Sequence, residues 1–161
     1  MMNYLKAILY FIPLLVLQLV VTPLISIYGI VPNLIIILVV SYTLLGGQIY
    51  GMILGFLFGF FFDLFSGGII GSSMLAMTVS AFVAGYFYNE NRVDTNTSSF
   101  FFLIILAISA SIESVIYSTV GNFNPDAGLS VLIFEGTLLP AVYTTIFGVA
   151  VVVFSYRKAR L

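Results

Sequence analysis

Three carboxylates stand where chemistry is to be expected: Asp63, Glu113 and Glu135, each inside an otherwise apolar run. If they converge, they must be protonated, bind a cation, face water or meet a partner's Lys or Arg, because like charges close together in low dielectric cannot all stay ionised. Histidine and cysteine are both absent. That removes thiolate zinc sites, disulfide frameworks, haem attachment and every histidine-based triad or general base. No catalytic residue, metal set or cofactor site is singled out by what is left.

Asp63 also ends a second pattern. In GMILGFLFGFFFDLFSGG, residues 51–68, glycine recurs at every fourth position and the aspartate stands where the next one would fall. Four residues turn an α-helix by about 400°, so Gly47, Gly51, Gly55 and Gly59 line one shallow groove and Asp63 continues it. Small residues at that spacing let another backbone approach closely, which replaces the hydrophobic drive that lipid does not supply. The groove serves either packing within the chain or the docking of a partner's single span. For Asp63 the plain alternative to partner binding is a cap on the turn Leu64–Gly68.

The elements that position these residues follow from composition. Of 161 residues, 61% are hydrophobic and 7% charged, more apolar surface than a water-soluble domain of this size can hide. The expected fold class is an all-α polytopic membrane protein, a bundle of six transmembrane helices over residues 5–26, 31–46, 48–64, 69–88, 99–119 and 130–154, forming one domain over 1–161. The first helix is read as a retained span, since its apolar run is long and no small-residue cleavage site follows. Charge fixes the number of spans. With six spans and a cytoplasmic N-terminus, Lys6, Arg92, Arg157, Lys158 and Arg160 all lie inside, whereas merging 31–64 into one span sends Arg92 and the tail outside. Both termini are then cytoplasmic, NENRVDTNTSS (89–99) is the polar inner loop and GNFNPDAG (121–128) an outer turn. Nine of the ten tyrosines fall near an interface, Tyr143 being the exception. Asp63 comes roughly 22 Å from the inner end of its helix at 1.5 Å per residue, and Glu113 and Glu135 share its outer-half depth. No basic side chain stands at that level. Gln18, Ser109, Ser111, Thr144 and Thr145 are expected to bond between helices, and the basic tail to meet anionic lipid heads.

Three segments carry a family resemblance: LQLVVTPL around Gln18, GIVPNLIIILVV after the outer turn at Gly29–Pro32, and GMILGFLFGFFFDLFSGGIIG from Gly51 to Gly71. In order and spacing they resemble the bacterial rod-shape-determining MreD proteins. Pro140 fits that pattern too, whereas Asn33 stands where members often carry an acid. The resemblance implies a non-enzymatic, multi-pass protein of the bacterial inner membrane. It also implies association with the single-span scaffold MreC and with the complex that builds lateral peptidoglycan, membrane lipids as surroundings, and no nucleic acid. It makes Gly51, Gly55, Gly59 and Asp63 the candidate interaction residues, with Glu113 and Glu135 added on physical grounds.

Two other classes compete. The family is similar in architecture to the substrate-binding subunits of energy-coupling-factor vitamin importers, and an outward polar cavity would use the same three carboxylates. Such subunits often dock through alanine stripes on the first helix, which here offers only Ala7. An ion- or proton-coupled carrier is the third class, but there is no midplane charge and no inverted repeat. If the groove matters, Gly55→Leu disturbs the protein more than Phe58→Leu does.

Overall fold

The computed structural model describes the backbone of residues 2–27, 29–90, 100–121 and 134–158, and their side chains except those of 2–5, 135, 151 and 153–158. Most of the inner loop with Arg92, most of the outer turn after Gly121 and the basic tail's side chains lie outside the described residues. Within them the chain is all-helical: α1 (Met2–Val20), α2 (Leu34–Gly46), α3 (Gln48–Ser66), α4 (Ser72–Gly85), α5 (Phe100–Val120) and α6 (Leu139–Lys158). The second helix stands apart from the third, so the apolar run 31–64 does divide, at Gly47. That residue sits at φ 92°, a conformation that only glycine adopts freely.

Local chemistry moves the predicted boundaries. The first helix ends at Val20 rather than 26, because Pro23 lacks the amide that would continue it and Thr22–Ile25 winds into a tighter turn. The Thr22 hydroxyl bonds back to the Gln18 carbonyl. Ile27 and Ile30 then exchange main-chain hydrogen bonds of 3.1 and 2.9 Å around Gly29. α2 starts where Asn33 Oδ1 accepts from the amides of Ile35 and Ile36 at 3.0 and 3.3 Å, an N-cap. A widened π turn, Phe134–Leu138, leads into α6 and delays its regular part.

α3 and α4 make the most extensive pairing, followed by α4 with α5 and α5 with α6, while α1 lies at the edge against α2 and α3. α2 is buried along Ile35, Ile36, Val39, Val40 and Leu44. α1 joins through Ala7, Phe11 and Leu15, with the Phe11 ring stacked on Phe58 at 4.0 Å.

The distribution of polarity is the reverse of a soluble core. Gln18, Thr22, Thr43, Asp63, Ser80, Ser109, Glu113 and Thr144 are buried, while Leu9, Leu24, Ile49, Phe65 and Phe100 are more than 60% exposed. Gln48–Ser66 and Phe100–Val120 are long and apolar enough to cross a membrane, and Lys6–Val20, Leu34–Gly46, Ser72–Gly85 and Gly136–Ala150 are shorter apolar helices. Such a surface suits hydrocarbon.

Candidate functional site

The glycine stripe is filled from within the chain. A methyl group added at Gly55 would fall 2.7 Å from the carbonyl oxygen of Met77, and one at Gly59 would fall 2.5 Å from the Cα of Met74. Both neighbours are main-chain atoms of α4. Gly51 turns instead toward α2, where the added methyl would run into the Thr43 side chain, and Tyr88 covers Gly47 with its ring 3.5 Å from the added methyl. At the other edge of the seam Gly85 presses on Gln48, whose amide donates 2.8 Å to the Phe82 carbonyl. α3 and α4 are therefore in backbone contact over several turns, the geometry that small residues at a four-residue spacing permit. Phe58 is itself a core residue, 1% exposed and stacked on Phe11, so it cannot serve as the neutral comparison for Gly55. Phe56, half-exposed on the same helix, can.

Asp63 closes this seam, and it does not cap the turn Leu64–Gly68 that follows it. Its carboxylate accepts from the amides of Gly71 at 2.8 Å, Ser73 at 3.1 Å and Met74 at 3.3 Å, with the Ser72 hydroxyl at 3.5 Å. These are the orphan donors that open α4. A helix start offers several convergent N–H groups and the positive end of the helix dipole, a stronger anion site than an isolated turn. The side chain is 1% exposed. The carboxylate thus fastens the end of α3 to the start of α4.

Glu113 belongs to a different set of contacts. Its Oε1 accepts from Asn33 Nδ2 at 2.9 Å, and the Asn33 amide donates to Thr144 Oγ1 at 2.9 Å. Gln18 completes the set, donating to the Pro32 carbonyl at 2.9 Å and accepting from the Leu34 amide at 2.7 Å. The Tyr143 hydroxyl donates to the Ile25 carbonyl at 2.8 Å. One side chain from α1, one from α5 and two from α6 thus hold the 21–33 connector. Sequence reading identified Gln18 and Thr144 as interhelical bonders but missed Asn33 as the hub. The signal was an asparagine before an apolar run, the N-cap pattern. Tyr143, the tyrosine that fitted no interface, spends its hydroxyl on the connector. Of the other expected bonders, Ser111 and Thr145 donate back to carbonyls of their own helices, and buried Ser109 has no partner.

Asp63 and Glu113 share one end of the bundle, each within electrostatic reach of the Tyr117 phenol. They are engaged by separate partners, Asp63 by amides of α4 and Glu113 by Asn33. Glu135 lies in the π turn, and its side chain is outside the described residues. Among the described residues no three acidic side chains gather as a metal site.

The model of one family, described as rod shape-determining protein MreD, matches residues 1–144 of the 161-residue chain. This chain belongs to the MreD family. The matched range takes in the α3–α4 seam, Asp63, the connector with Asn33, and Glu113. No curated protein and no solved structure matches the chain. Membership in a family of shape-determining structural proteins, with an apolar exterior and apolar helices, makes this a rod-shape-determining membrane protein. It lends nothing to the vitamin-importer alternative.

Proposed function

We propose that the chain is a six-span scaffold of the bacterial inner membrane, with both termini in the cytoplasm, that binds a single-span MreC-like partner and helps direct lateral peptidoglycan synthesis. The family match over residues 1–144 carries this reading. The arrangement of charge supports the topology, since it leaves every Lys and Arg on one side.

The stripe and Asp63 enter this function as framework. With Gly55 and Gly59 occupied by α4, a partner's span meets the outward face of α3, where Ile53, Phe56, Leu57 and Leu64 are exposed. Gly51, Gly55, Gly59 and Asp63 set how that face is presented. Purification of the tagged chain in mild detergent, followed by identification of what accompanies it, tests the proposal. A bitopic scaffold with cell-wall synthesis enzymes is the expected result; an ATPase motor in their place would overturn it.

A further inference from the structure

Among the described residues α6 makes substantial contact with only two other helices. It packs on α5 and lightly on α2. It comes close to α5 at Gly148, where an added methyl would run into the Leu106 side chain. Beside that contact an open cleft of about 230 Å³ lies between the two helices on their outward face, lined by Ala107 and Ser111 of α5, Leu138 of the π turn, and Ala141, Thr145 and Val149 of α6. Ser111 and Thr145 tie their hydroxyls to their own helices at 2.8 and 2.7 Å and so do not reach across it. The turn that starts α6 is a π turn, a widened form found frequently at functional sites. Polar bonds join this end of α6 to the α1–α2 side: Tyr143 to the Ile25 carbonyl and the Asn33 amide to Thr144, with Asn33 held in turn by Glu113.

We propose that the 21–33 connector is a latch on α6: its bonds to Tyr143 and Thr144 hold the helix closed over the α5–α6 cleft. Release of the latch lets the connector end of α6 swing about the Gly148–Leu106 contact while α1–α5 keep their packing. The two ties are directional bonds that break over a short displacement, as a latch requires. The inference concerns how the molecule changes shape and does not depend on which partner it binds.

The chain has no cysteine, so pairs of introduced cysteines carry spin labels without background. Leu24→Cys with Val142→Cys spans the latch from two exposed positions, and Ile53→Cys with Leu75→Cys spans the α3–α4 seam as control. In detergent or bilayer the double variant Tyr143→Phe/Thr144→Val is expected to lengthen and broaden the first distance distribution and leave the second unchanged. Thr144→Ser, which keeps the acceptor, restores the narrow distribution when Tyr143 is intact. An unchanged first distance would show that packing on α5 alone holds α6, and equal broadening of both pairs would show that the ties belong to the whole core; either result overturns the latch. Should the double variant not fold, the same two distances measured in Tyr143→Phe alone decide.

Discussion

Asp63 shows how one residue can look like a binding group and be a fastener. Its oxygens take three amides at the start of α4, so Asp63→Ala leaves buried donors without an acceptor. The expected loss is about 1–3 kcal/mol of stability, read as a lower unfolding midpoint in detergent and faster amide exchange at residues 71–74. Asp63→Asn, which keeps one acceptor oxygen, loses less. An unchanged midpoint in Asp63→Ala would mean that the cap contributes nothing. Glu113 is held by a neutral amide, so Glu113→Gln keeps an acceptor for Asn33 Nδ2, while Glu113→Leu strands a buried donor. Glu113→Gln is therefore expected to purify and unfold like the parent, with Glu113→Leu clearly less stable in the same thermal assay.

At the scale of elements, the α3–α4 hairpin is set by backbone contact. Gly55→Leu places a branched side chain against the Met77 carbonyl and is expected to cost at least about 1–3 kcal/mol, the usual penalty for overpacking. Phe56→Leu, on the outward face, is expected to change stability by about 0.5 kcal/mol or less. Comparable losses in a denaturant titration of the two variants would remove the stripe's special role. The existence of the six helices was legible in hydropathy and charge, and the close-packing face in the four-residue glycine period, because both signals are local. Which helix fills the groove was not, since Gly55 meeting Met77 is a contact across a turn whose direction no period encodes. The role of Asn33 was half legible: an N-cap can be read from its place before an apolar run, but its bond to Glu113 joins residues 80 apart in sequence. The end of α1 at Val20 was misplaced because the apolar pattern runs on past Pro23 while the hydrogen bonding does not.

For the whole molecule, the reversal of polarity has a direct test. With six spans, single cysteines introduced into 89–99 react only with reagents on the cytoplasmic side, and those introduced into 121–128 only with membrane-impermeant reagents outside. Labelling of both segments from the same side would reduce the number of spans between them to an even one and overturn the topology. The Asp63 cap also bears on biogenesis. While α3 is alone in the membrane its carboxylate has no donors, and while α4 is alone its first amides have no acceptor. Each deficit is the other's remedy, so the two helices are expected to leave the translocon as a pair, with the short 67–71 turn as its leading edge.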